Sequence, residues 1–142
     1  MLTAVKVTVE NSYKTTQAAR QHIWYGDAPV QDGGTDEAAT PEELVMGALG
    51  SCMAMTGQMY ANRKGWPVER IEVTLDFQRF NASDYPAYQG DANFVHEIHE
   101  HITIEGPLSE EQKTRILEIM GKCPVRRLIG NPVFFAPQQV TE

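Results

Sequence analysis

The sequence is short of several things, and each shortage removes a class of function. It holds only two cysteines, Cys52 and Cys123, and no Cys-x-x-Cys pair, so the usual thiolate frame of a zinc site is missing. Lys and Arg number 12 against 19 Asp and Glu, for a net charge of −7, and nowhere do they form a run. Without a concentrated phosphate-neutralising patch, nucleic acid is not an expected partner. No stretch is apolar for long enough to span a bilayer: the longest uncharged segment, 44–62, is diluted by Gly47, Gly50, Ser51, Thr56, Gly57, Gln58 and Asn62. Internal repeats and low-complexity tracts are missing too. The opening Met1-Leu-Thr-Ala-Val-Lys-Val-Thr-Val-Glu alternates apolar and polar residues and lacks the basic start and apolar block of a signal peptide, so the expected location is cytoplasmic. In that reducing compartment a structural disulfide is uncommon, which leaves the two thiols as catalytic, simply buried or, the weakest reading without a Cys-x-x-Cys pair, metal-binding.

What is present suffices for one α+β domain over residues 1–142 with a real core. Residues 2–10 and 13–25 read as two strands of a hairpin around Asn11-Ser12, followed by a loop from Gly26 to Ala39. Thr40-Pro-Glu-Glu is a capping box with proline at the first helical position, and predicts a helix running to about Lys64, where Gly65 and Pro67 end it. That helix carries no charge from Leu44 to Asn62 and is apolar or small on every side, the mark of burial all round. One small domain cannot easily supply such cover, so a second copy of the chain is the natural source, and a homodimer is expected. Ile71, Val73, Leu75 and Phe77 alternate with polar residues as in a half-wet strand; a loop over 81–93 leads to another strand through Ile98, Ile102 and Ile104. Ser109-Glu-Glu-Gln caps a second helix, on which Ile116, Leu117 and Met120 share a face. A short helical turn after Cys123-Pro124 and a last strand over 133–136 complete a mainly antiparallel order.

The two cysteines sit in different local settings. Cys52 is mid-helix among Met53, Met55 and Met59; burial there would raise its pKa, so it is either a small core side chain or a thiolate that needs a cation brought from elsewhere. Cys123, at an N-cap before Pro124, would face free backbone N–H groups with Arg126 and Arg127 nearby, a setting that favours a thiolate or eases attack on its sulfur; the plain alternative is a cap residue beside solvated arginines. Glu42 lies ten residues before Cys52, about 15 Å along the axis. It could approach the Cys52 of a second copy if two such helices cross antiparallel near Gly47, or it could simply stabilise its own helix start. Glu43 occupies the reciprocal capping-box position. His99 and His101 share one face of their strand, joined there by Glu97, His96 faces the other way, and a wet strand surface accounts for all three better than a metal. The methionines fill a core or line an adaptable apolar pocket.

Taken together, Pro41-Glu-Glu-Leu leading through small residues into Gly-Ser-Cys52, the run Met59-Tyr-Ala-Asn-Arg-Lys-Gly-Trp-Pro and Lys122-Cys-Pro-Val-Arg resemble the OsmC/Ohr family, the osmotically inducible and organic hydroperoxide resistance proteins, over nearly the whole chain. The helix and the Arg-Lys-Gly-Trp-Pro segment resemble an OsmC-like branch of that family. The resemblance implies an intertwined homodimer with antiparallel sheets wrapped around central helices and two active sites at its interface. It implies a thiol peroxidase in which Cys52 is peroxidatic and Cys123 resolves its sulfenic acid as a disulfide, without metal, flavin or haem, and with electrons returned by a dithiol such as a dihydrolipoyl group. It also implies a glutamate, matched by Glu42 or by Glu43, that orients an arginine, matched by Arg20, with Arg126 as the other choice, to stabilise the thiolate. Arg20-Gln-His-Ile-Trp-Tyr lacks the glycine-arginine turn of the family's peroxidases. The alternative function is a non-peroxidatic member that binds a small apolar or thiol ligand at the dimer interface; a purely structural interaction module is the third.

Overall fold

Capping boxes and strand alternation set most element boundaries in the computed structural model, which describes residues 3–141 and divides into two compact units, one up to Gly47 and one from Ala48 onward. The first unit is a three-stranded antiparallel sheet of β1 (Lys6–Val9), β2 (Thr15–Ala19) and β3 (His22–Gly26), in that order, followed by a loop and the first turns of a helix. The expected strand over 13–25 is in fact two strands, paired with Ala19 opposite His22 across a two-residue turn of Arg20 and Gln21. Arg20 takes a left-handed φ of 55° there, a conformation that glycine or asparagine usually announces. Lacking either, the alternation runs straight through the turn when read as sequence. Of the residues expected in the first strand, Leu2 lies outside the described residues.

The loop after β3 is tied down by Asp27, a buried carboxylate. It accepts from the Ala28 N–H at 2.8 Å, the Thr35 hydroxyl at 2.8 Å and the Glu37 N–H at 3.0 Å, while its own N–H donates to the Ala39 carbonyl. The donors, Glu37 N–H foremost and Ala28 N–H next, hold this carboxyl down to about 2. Thr40 and Glu43 then close the capping box from both sides and start α1 (Pro41–Lys64), and Thr40 is also the main reason that the Glu43 carboxyl is lowered.

The second unit packs the rest of α1 with β4 (Arg70–Asn81), β5 (Phe94–Glu105), α2 (Glu110–Met120) and α3 (Pro124–Gly130). The two 12-residue strands pair antiparallel from Arg70 opposite Glu105 to Asn81 opposite Phe94. Gly65, at a φ of 72°, ends α1, and the Ser109–Gln112 capping box starts α2. Leu49, Met53, Tyr60 and Ala61 of α1, Ile104 of β5, Ile116 and Met120 of α2, and Cys123 form one buried cluster. Within one chain the helix is buried along a single stripe, and Met55 and Met59 on other sides are exposed. One small unit has no further layer to set against them. Leu117 is likewise exposed and does not share the buried face of Ile116 and Met120. The expected last strand is also absent: 133–136 follow α3 without strand pairing among the described residues, and Phe134 and Phe135 stand 90% and 96% exposed. A strand needs an edge to pair with. Among the described residues no helix is long and apolar enough to cross a membrane.

The wet face of the β4–β5 ribbon carries a charge cluster. His99 lies opposite Asp76 and contacts its carboxylate through Nδ1 at 2.6 Å, while Nε2 contacts Glu97 at 2.8 Å; the Tyr85 hydroxyl donates to the other Glu97 oxygen at 2.8 Å. Asp76 first, then Glu97, raises the His99 imidazolium above its ordinary value. Its stabilising contribution is thus complete below about pH 6.5 and is lost as pH rises through the raised folded value. An NMR titration of the imidazole protons should place the His99 midpoint above about 6.5 and bring it down in Asp76→Asn; a midpoint at or below 6.5 in the parent chain would contradict the cluster.

Candidate active site

Cys52 and Cys123 come from separate elements and meet in the second unit. Cys52 projects beside the buried stripe of α1 and is half-buried, whereas Cys123 is fully buried. Local chemistry explains the position of Cys123. The end of α2 turns at Gly121 and Lys122, the Cys123 N–H donates to the Met120 carbonyl, and Pro124 occupies the first position of α3, where its missing N–H costs nothing. Cys123 is left as N-cap with extended backbone, and its Sγ accepts from the Arg126 N–H at 3.3 Å. The next free N–H, that of Val125, points instead at Cys52 Sγ, 3.5 Å away. Two successive amides of one turn thus serve two sulfurs, and the two thiols are near enough to act on each other's ionisation.

The electrostatics of Cys123 reverse the expectation from its cap position. Burial pushes its thiol up, and the neighbouring Cys52 adds to the rise; the Arg126 and Val125 amides pull the other way and lose. Cys123 is a protonated thiol at neutral pH. Of the two it is the partner suited to wait, not to attack first.

Arg126 is close to this pair but does not present its charge to either sulfur. Its Nε donates to Glu100 at 3.0 Å and its Nη1 to the Gly121 carbonyl at 3.0 Å; only its backbone N–H reaches Cys123. Glu100 was missed in the sequence. Its signal was there: it occupies the row of β5 that carries Ile98, Ile102 and Ile104, a carboxylate where alternation calls for an apolar residue. Arg20 and Glu42 belong to the first unit, Arg20 at the tip of the β2–β3 hairpin and Glu42 exposed in the first turn of α1. Glu43 is committed to the helix cap.

Residues 34–137 match the model of a protein family described as OsmC-like protein. Among solved structures, an OsmC-like protein of Mycoplasma pneumoniae is 17% identical, with 92% of this chain and 88% of that chain covered and a TM-score of 0.73. An osmotic stress induced and detoxification response protein of Psychrobacter arcticus, so described provisionally, is 24% identical over 90% and 88% of the two chains, with a TM-score of 0.67. An organic hydroperoxide resistance protein of Legionella pneumophila is 17% identical over 91% and 89%, with a TM-score of 0.65. At these identities the likeness is one of fold. No curated protein matches the chain.

Proposed function

The chain belongs to the family of OsmC-like proteins, and from that premise we propose that it is a cysteine peroxidase that reduces organic hydroperoxides through a Cys52–Cys123 disulfide, in cytoplasmic defence against oxidants. The observation that carries the reading is the closeness of the two thiols, which accept from successive amides of one turn, with Cys52 the more accessible and Cys123 buried and protonated. The name of the Legionella protein adds to it. In the first step the Cys52 thiolate attacks one oxygen of the O–O bond; the other leaves as alkoxide and takes a proton, giving an alcohol and a Cys52 sulfenic acid. Cys123 then attacks that sulfur, the S–O bond breaks, and water departs with the thiol proton. A dithiol, of the dihydrolipoyl kind, reduces the disulfide and leaves as its own cyclic disulfide. Rapid capture by Cys123 spares the sulfenic acid from irreversible oxidation.

The working form in this reading is a homodimer. Met55 and Met59 on α1 and the Phe134-Phe135 pair are large apolar side chains open to solvent in one chain, and a second copy would cover them. A Cβ at Gly47 would meet nothing within 4 Å, so α1 has room for close approach by another helix there. In such a crossing Glu42 would near Cys52 of the second copy and orient Arg20 toward its thiolate, where a guanidinium stabilises both the thiolate and the charge developing on the leaving oxygen.

The test is a near-stoichiometric organic hydroperoxide added to fully reduced protein, with thiols mapped by mass spectrometry. The expected result is peroxide loss matched by a Cys52–Cys123 disulfide. Thiols that stay reduced while the peroxide persists would end the peroxidase reading in favour of a protein that binds a small apolar or thiol ligand.

A further inference from the structure

The geometry points to the Glu100–Arg126 ion pair as the positioning device that holds Cys123 in reach of Cys52 and so sets how fast, and how completely, the two sulfurs join. The inference rests on the part of the proposed function in which these thiols form a disulfide, and not on what oxidises them.

A carboxylate between Ile98 and Ile102, 21% exposed, is an expensive choice for stability alone. Taking a charge out of water is repaid only in part by one partner, and an apolar residue in that row would hold the ribbon on α1 at least as well. What Glu100 does hold is Arg126, and Arg126 joins three structures at once. Its Nε ties it to β5, its Nη1 ties it to the Gly121 carbonyl at the end of α2, and its own N–H lies on Cys123 Sγ. The corner from Gly121 to Pro124 is thus bridged by a residue in the first turn of α3, and the whole corner is anchored on the strand. Val125, between Pro124 and Arg126, carries the N–H that marks the place of Cys52 Sγ. Removing the anchor frees the corner to turn about Pro124, and both sulfurs lose their shared reference. Glu100 and Arg126 reach neither sulfur with their side chains, so they act by placing Cys123, not by chemistry of their own.

The experiment uses the full chain and an azodicarboxamide oxidant, which takes two electrons and two protons from the pair of thiols and leaves as the hydrazine. This readout needs no hydroperoxide activity. The rate of intramolecular closure should fall by about tenfold to a hundredfold in Glu100→Gln and in Arg126→Ala, as misplacement of a reacting group by about 1 Å would cause. In dithiothreitol redox buffers the equilibrium should shift about tenfold toward the dithiol, equivalent to about 30 mV. Arg126→Lys, which keeps the charge but cannot fork between Glu100 and Gly121, should fall between parent and Arg126→Ala. Far-UV circular dichroism identifies any variant that has failed to fold, and Glu100→Gln, the mildest change, decides the matter in that case. Closure rates and equilibria within twofold of the parent would overturn the inference, as would a parent chain that never closes. If the parent closes with this oxidant and the variants lag, while hydroperoxide is left untouched, the positioning role stands and the peroxidase reading falls.

Discussion

Cys52→Ser is expected to abolish hydroperoxide consumption, lowering the rate by about 10³-fold or more, because the residue removed is the proposed nucleophile and no other thiol is placed to replace it. Cys123 is no substitute: it is buried and its thiol is pushed up, so it offers little thiolate at neutral pH. Cys123→Ser should behave differently. The first turnover should proceed, since the attacking sulfur remains, but the sulfenic acid then lacks its neighbour and should climb to the sulfinic and sulfonic states as peroxide is raised. Quenched samples analysed by mass spectrometry distinguish the two variants: an unmodified Cys123 thiol in the first, an overoxidised Cys52 in the second. Equal loss of the first turnover in both would mean that the roles are wrongly divided.

The second large effect concerns packing beneath the site. A Cβ at Gly57 would stand 2.8 Å from Met120 Cγ, 3.0 Å from its Sδ and 3.1 Å from Ile71 Cδ1, so α1 meets the end of α2 and strand β4 through a residue without a side chain. Gly57→Leu should lower the unfolding free energy by about 3 kcal/mol, the upper part of the range for overpacking a filled core. Gly57→Ala should stay within about 1 kcal/mol of the parent, since the helix gain from replacing glycine offsets a clash that falls mostly on a flexible methionine. Denaturant unfolding of both variants checks this, and a leucine tolerated with a loss below about 1 kcal/mol would show that Met120 moves freely. Because Met120 also receives the Cys123 N–H, the leucine should disturb the corner that carries the second thiol.

The parts of the fold legible in the sequence are those whose cause is local. Thr40 and Glu43, and Ser109 and Gln112, satisfy one another's backbone donors within four residues, so both helix starts were in plain view. The long alternation of Ile71 to Phe77 likewise marked β4. The turn at Arg20 was hidden because a side chain other than glycine accepts the left-handed backbone there. The C-terminal apolar run misled for the opposite reason: it has the composition of a strand but finds no edge to pair with among the described residues. At the candidate site, each cysteine announced itself by context, and the N-cap role of Cys123 could be read from the following proline. Their contact could not, since it depends on how α2 returns across α1. The pKa of Cys123 depends on burial by that same return, which outweighs the cap donors that were visible locally. Glu100 could have been found as the one carboxylate in an apolar row, but its partner lies 26 residues away and only the fold names it.

The unequal exposure of the two sulfurs imposes a direction on any exchange that passes through them. A reductant arriving at a Cys52–Cys123 disulfide can reach only the Cys52 side, so the mixed intermediate forms there and Cys123 must depart. A thiol whose pKa is raised is a reluctant leaving group, and the same burial that keeps Cys123 protonated therefore slows its own release. In the proposed cycle, a shortage of electrons would leave the chain in its closed, oxidised form for longer than an open pair of thiols would. In that reading the closed form would be a chemical record of recent exposure, slow to be erased.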